Sequence, residues 1–80
     1  MDVISFFIDE CCETGESYRA PAGELFKKYQ EWAKDSSEYS MSKQKFGREM
    51  GNKFEYKKIH GNRFYFGLKI NADSRLTFNQ

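Results

Sequence analysis

Residues 54–70, FEYKKIHGNRFYFGLKI, constrain the fold more than any other stretch of this 80-residue chain. Two runs rich in aromatic and β-branched side chains flank Gly61 and Asn62, a dipeptide that tolerates positive φ and closes two-residue turns. The stretch therefore predicts a β-hairpin with Gly61-Asn62 as its turn. Lys57, Lys58 and Arg63 lie close to this turn, so the predicted hairpin has a basic tip.

Two segments before the hairpin have the apolar period of helices. Apolar side chains at Ile4, Phe7, Ile8 and Cys11 predict a first helix, with Asp2 available as its N-cap. Residues 21–37 predict a second helix, because their apolar side chains repeat every three or four positions and proline suits the first helical position. Residues 17–20, which precede that proline, predict a short extended segment.

A third helix is predicted in residues 40–53, SMSKQKFGREMGNK. Ser42 is the expected N-cap, Met41 the expected hydrophobic staple on Phe46, and Gly51 the expected left-handed C-cap. At about 100° per residue, the apolar side chains and Gly47 share one face of this helix. The opposite face is basic and rich in amides: Gln44, Lys45, Arg48 and Asn52.

The predicted fold is a single α+β domain of order α-β-α-α-β-β. A chain of this length buries only about 60 to 65% of the surface it exposes when unfolded, so its core needs large side chains, and fourteen aromatics meet that need. A helix-turn-helix formed by the second and third helices, with the hairpin as a wing, fits the order and predicts a winged helix. Residues 1–70 are predicted to form this single domain, and residues 71–80 a polar C-terminal tail.

The charge is divided unevenly between the two halves of the chain. The net charge is +1, but residues 1–40 have four basic and nine acidic side chains, net −5, whereas residues 41–80 have nine basic and three acidic ones, net +6. This asymmetry favours an anionic partner for the second half.

Winged helices place their recognition helix in the major groove of DNA, and basic side chains beside it contact phosphates. The nucleic-acid-binding residues predicted on this basis are Lys43, Gln44, Lys45, Arg48, Asn52, Lys53, Lys57, Lys58 and Arg63.

The chain resembles the C-terminal winged-helix domain of phage and plasmid replicative primase/helicases, whose superfamily-three ATPase is shared with poxvirus-type primase/helicases. The resemblance extends from about Asp2 to Ile70 and rests on DVISFFIDECCE, LFKKYQEW, SKQKFGREM and GNRFYFGLKI. It implies an appended DNA-binding module, which in some members of the family engages the replication origin, with the parent or an associated replicative helicase as a partner. The primase and ATPase machinery is absent, because the sequence has no GxxxxGK[ST] motif, so this chain alone is not expected to hydrolyse ATP.

Other functional classes are less favoured. The adjacent Cys11 and Cys12 close almost no loop and, with His60 as the single histidine, do not make a structural zinc site. Paired acids such as Asp9 and Glu13 are expected to be solvated, so we expect no enzyme, metal, cofactor or small-molecule substrate. No apolar run approaches the roughly 20 residues of a membrane span and no signal peptide is evident, so no membrane partner and a cytoplasmic location are expected.

Several alternatives stay open on the sequence alone. The acidic half favours a second hypothesis, a protein-docking module in which Asp9, Glu10, Glu13, Glu24 and Glu31 meet a basic partner. Tyr65 is expected in the core, with sugar and phosphate contact as the alternative, and on the strand face opposite Leu68. The DNA partner is expected to be duplex, although forked and single-stranded DNA are alternatives, and the chain is expected to be a domain of a longer protein.

Overall fold

A computed structural model of the chain describes residues 2–36 and 40–71. The elements are α1 (Val3–Cys11), β1 (Cys12–Pro21), α2 (Ala22–Asp35), α3 (Lys43–Lys53), β2 (Glu55–Ile59) and β3 (Asn62–Ile70). The α+β class and the order α-β-α-α-β-β are confirmed, and the arrangement is winged-helix-like. The predicted polar tail, apart from Asn71, lies outside the described residues.

The starts of the helices follow from local capping. The Asp2 carboxylate accepts hydrogen bonds from the backbone N–H groups of Ile4 and Ser5, and the Ser42 hydroxyl accepts one from the N–H of Lys45. Each bond satisfies a donor that has no partner within the first turn, so both predicted N-caps are confirmed. α2 begins one residue later than expected, with Pro21 as its N-cap.

An aromatic cluster joins the three helices. Phe46 of α3 stacks on Tyr29 of α2 at 4.8 Å between ring centroids, and Phe7 of α1 contacts the same Tyr29 edge-on at 5.5 Å. Two further contacts fix the helix ends: Trp32 Nε1 donates to Glu10 Oε1 at 2.8 Å, and the N–H of Met41 donates to the Tyr29 hydroxyl at 3.0 Å. These contacts pack α2 against α3 and against α1.

The sheet is antiparallel with strand order β1-β3-β2, so β3 is the central strand. β1 runs from residue 12 to residue 21, much longer than the extended segment predicted over residues 17–20. Thr14 pairs with Leu68 and Arg19 pairs with Phe66, so the middle of β1 advances five residues while β3 advances two. This irregular, mostly exposed strand has a weak sequence signal, and pairing with β3 is what makes it a strand.

Gly67 changes the side-chain alternation of β3. Tyr65 and Leu68 are both buried, although strict alternation places them on opposite faces. Gly67 has φ of +104°, a conformation open to glycine, and it lies opposite the irregular part of β1. The prediction that Tyr65 is in the core is confirmed, whereas its placement opposite Leu68 was wrong because the positive-φ Gly67 interrupts the alternation between them.

The hairpin turn lies one residue earlier than predicted. His60 and Gly61 have φ of 52° and 82°, and Ile59 pairs with Asn62. Positive φ at both central residues is the signature of a type I′ turn, and histidine is among the residues enriched at positive φ. Because of this earlier turn, each β2 residue pairs with a β3 residue two positions away from the partner that was predicted. Side chains alternate with a period of two, so each one stays on its predicted face of the hairpin. It places Tyr56 opposite Tyr65, where the two rings make an edge contact at 5.8 Å.

Gly51 is not the left-handed C-cap that was predicted. α3 continues to Lys53, and its C-cap is the extended Phe54, whose N–H donates to the carbonyl of Met50. Phe54 packs against the core, which explains why the helix ends there. The missing side chain of Gly51 instead leaves room for the hairpin.

Candidate nucleic-acid interface

The polar face of α3 is fully presented to solvent. Phe46 and Met50 are buried, while Gln44, Arg48 and Asn52 are exposed on the opposite side. Arg48 has no hydrogen-bond or ion-pair partner among the described residues. The side chains that were expected to meet DNA are therefore free to do so.

Two glycines of α3 face the tyrosine pair of the hairpin. A Cβ on Gly47 would lie 3.7 Å from the Tyr65 hydroxyl, and one on Gly51 would lie 3.3 Å from Tyr56 Cε1. The Tyr65 hydroxyl also donates a hydrogen bond to the carbonyl of Gly47 at 3.3 Å. Since residues four apart share a helix face, these contacts form one stripe along which the tyrosine pair packs. The stripe fixes the position of the hairpin relative to α3.

A basic cleft lies between α3, the hairpin turn and the first turn of α2. Five of the nine predicted binding residues line it: Lys43, Gln44, Arg48, Asn52 and Arg63. No carboxylate is among the described residues that line it, so three cationic side chains face the cleft without neutralisation. Such a surface attracts an anion.

Lys58 and Arg63 are directly opposite each other in the hairpin. Like charges in this position destabilise a strand pair, so the hairpin tip is electrostatically unfavourable without a counter-charge. Strand alternation places both on the Tyr56 face, beside the cleft, whereas Lys57 lies on the other face with its Nζ 6.0 Å from the centre of the Phe66 ring. The structure thus separates two lysines that the sequence analysis grouped.

Lys53 makes an intramolecular ion pair. Its Nζ lies 2.6 Å from Asp2 Oδ2 and 3.3 Å from Ser5 Oγ, which ties the end of α3 to the start of α1. The hydrogen bond from Lys53 lowers the pKa of Asp2 from its ordinary 3.8 to about 2. Lys53 and Lys57 border a second groove that also contains Glu16 and Glu55, so the charge there is mixed.

All nine predicted residues are exposed, including Lys45 on the outer face of α3. The sequence analysis did not include Tyr56, which borders the cleft and is 50% exposed. The sequence carried no clear signal for its exposure, because an aromatic residue between Glu55 and Lys57 has the alternation of a half-buried strand, which favours a place in the core. Asn62 and the backbone of Gly61 also line the cleft.

Other sites of chemistry are not evident among residues 2–36 and 40–71. Cys11 and Cys12 are buried without a disulfide, and burial, with Cys11 as a further cause, raises the pKa of Cys12 from 9.0 to about 12. No group of three or more potential metal ligands occurs in this part of the chain. Within the same ranges, no helix has the length and apolar character needed to cross a bilayer.

The fold and the cleft define a winged-helix-like domain with a basic face on its third helix and hairpin. The family described as Poxvirus D5 protein-like matches residues 1–78, and the chain belongs to this family. Membership indicates a domain related to D5-type primase/helicases of replication. Comparison with curated proteins and with solved structures gave no match.

Proposed function

We propose that this chain is the DNA-binding winged-helix module of a phage- or plasmid-type replicative primase/helicase, and that it binds rather than catalyses. α3 enters the major groove, where Gln44, Arg48 and Asn52 meet base edges, and the hairpin tip meets the phosphate backbone. The family assignment supports a role in replication.

One observation carries the proposal: the exposed face of α3 and the hairpin share a cleft with three cationic side chains and no described carboxylate. The chain as a whole has a net charge of only +1, so this concentration of charge is local. The facing pair of Lys58 and Arg63 adds to the argument, because a phosphate between them would relieve a repulsion that the free hairpin tolerates.

The test is binding of the chain to a fluorescently labelled duplex, followed by anisotropy at several salt concentrations. If the interface makes about five phosphate contacts, log K should fall against log salt with a slope near −4 to −5. Arg48→Ala should weaken binding, and it should relax sequence preference only if Arg48 contacts a base, most simply a guanine.

The two hairpin lysines provide a matched pair of variants. Lys57→Glu/Lys58→Glu should abolish the salt-sensitive binding. Separately, Lys58→Glu should weaken it more than Lys57→Glu, because Lys58 lies on the face of the hairpin beside the cleft. Lys34→Glu, at the end of α2 remote from the cleft, reverses one exposed charge and should leave binding nearly unchanged. No duplex binding at low salt, or equal loss for all reversals, would contradict the proposal.

A second candidate is a protein-docking module, as the acidic half of the chain suggested. The observation that favours it is Phe6 on α1, which is 46% exposed and lies on the same helix face as Asp9 and Glu10. The other acids of that hypothesis, Glu13, Glu24 and Glu31, are exposed as well. A basic protein such as the parent helicase would meet this face while DNA occupies the cleft.

Charge reversal separates the two functions. Glu24→Lys/Glu31→Lys should abolish a complex with the helicase while DNA affinity is retained. A complex that forms with unchanged affinity in this variant would count against docking through the acidic face.

A further inference from the structure

Tyr56 is the exposed member of a cross-strand pair of tyrosines. Its ring borders the cleft and is 50% exposed, while its cross-strand partner Tyr65 is 1% exposed. The Tyr56 hydroxyl has no hydrogen-bond partner among the described residues. The side chain therefore contributes a large aromatic surface to solvent at the edge of a cationic cleft.

Arg63 lies over the Tyr56 ring. Its guanidinium carbon lies 4.6 Å from the centre of the Tyr56 ring, within the range of a cation–π contact. Both groups are planar, and both are surfaces on which nucleic-acid bases stack in single-stranded complexes. Gly51 supports the ring from the α3 side, because a side chain there would lie against Tyr56 Cε1. Tyr56 and Arg63 thus form one platform at the border of the cleft, with Gly51 against an edge of the ring.

Amides surround the platform. Asn52 borders the cleft beside Tyr56, and Gln44 and Asn62 line the same cleft. An amide offers both a donor and an acceptor, which suits the edge of a base that has left its partner. The cleft has a volume of about 770 Å³, within the roughly 300 to 1,000 Å³ of sites that hold small molecules of nucleotide size.

We propose that this cleft takes one unpaired nucleotide, whose base stacks on the Tyr56–Arg63 platform while its phosphate meets the cations of the cleft. This inference deepens the proposed function and rests on it: the DNA substrate class is a duplex bordered by unpaired bases, such as a fork or an opened site. A base within a continuous duplex is stacked between its neighbours and cannot reach the ring without being extruded, which breaks its pairing and stacking. Preference for forked DNA follows.

The experiment measures the affinity of the chain for a duplex and for the same duplex with an unpaired arm. Base stacking on an aromatic side chain changes affinity by about five- to hundredfold, so the fork should bind at least about fivefold more tightly. Tyr56→Leu should remove this preference and Tyr56→Phe should keep it. Arg63→Lys keeps the charge but not the plane, so it should lower affinity for the fork by a larger factor than affinity for the duplex.

A second measurement reports stacking directly. 2-Aminopurine placed at the first unpaired position should lose fluorescence when the chain binds, and Tyr56→Leu should abolish the loss. Phe6→Leu is the matched control, because it removes an equally exposed aromatic ring from α1 and should change neither readout.

The outcomes separate the inference from the function on which it rests. Equal affinity for fork and duplex, with no effect of Tyr56→Leu, would overturn the stacking site and leave duplex binding intact. Absence of binding to both DNAs would overturn both proposals. Equal losses in Tyr56→Leu on fork and duplex would show that the ring serves the hairpin alone, which also overturns the inference.

Discussion

Replacement of Gly67 by alanine tests the positive-φ residue that interrupts the side-chain alternation of β3 and lets both Tyr65 and Leu68 be buried. The new Cβ itself fits, because it would lie 3.5 Å from Phe54 Cδ1, an ordinary contact. The cost arises from the backbone: φ of +104° is strained for any residue with a side chain, by about 1–3 kcal/mol. Alanine also restricts the unfolded chain, which offsets about 0.4–1 kcal/mol.

With mid-range values for both terms, the net expectation for Gly67→Ala is a destabilisation of about 1.3 kcal/mol, which corresponds to a fall in Tm of roughly 5–10 °C for a domain of this size. Thermal and urea unfolding followed by far-UV circular dichroism measure both quantities, and an unchanged urea m-value would show that only stability changed.

Gly47→Ala is the matched control, since it makes the same chemical change in a helix. Its Cβ would lie 3.7 Å from the Tyr65 hydroxyl and 3.8 Å from Arg63 Nη1, both ordinary contacts. Alanine is favoured over glycine in a helix interior by about 0.8–1.0 kcal/mol, so this variant should be more stable than the parent chain. The reasoning fails if Gly67→Ala is as stable as the parent, or if the two variants shift stability in the same direction.

Two further predictions follow from the shifted pKa values. The pKa of Asp2 is depressed to about 2, so the stabilisation from its pair with Lys53 is fully present above pH 3.8 and is lost as the pH falls through about 2. Asp2→Asn should therefore be less stable than the parent chain near neutrality, and its Tm should depend less on pH between pH 4 and pH 2. A Tm profile of the variant parallel to that of the parent would contradict this. The Cys12 thiol, buried and with its pKa raised to about 12, should react with iodoacetamide at pH 8 far more slowly in the native chain than in urea, and equal rates would contradict its burial.

The sequence was sufficient for the helices and for most of the candidate interface. The N-caps Asp2 and Ser42 and the faces of α3 depend on contacts within one or two helical turns, which local patterns record. The exposure of all nine predicted residues follows from the same periodicity and from the position of the hairpin tip. Tyr56 was left out because its exposure depends on where α3 ends and on how the hairpin packs against Gly51.

The remaining features depend on residues distant in sequence. β1 is a strand because β3 pairs with it, and Gly67 interrupts the side-chain alternation of β3 where the irregular middle of β1 lies opposite. The pair of Asp2 with Lys53 joins residues at the two ends of the helical region. Neighbouring strand registers differ little in the free energy of their turns and local strand segments. The register that forms is therefore the one that buries Tyr65 and Leu68 against residues distant in sequence. The sequence by itself thus determined the helices and the basic surface, and the tertiary structure decided the strand register and the cleft, because only packing brings α3 and the hairpin together.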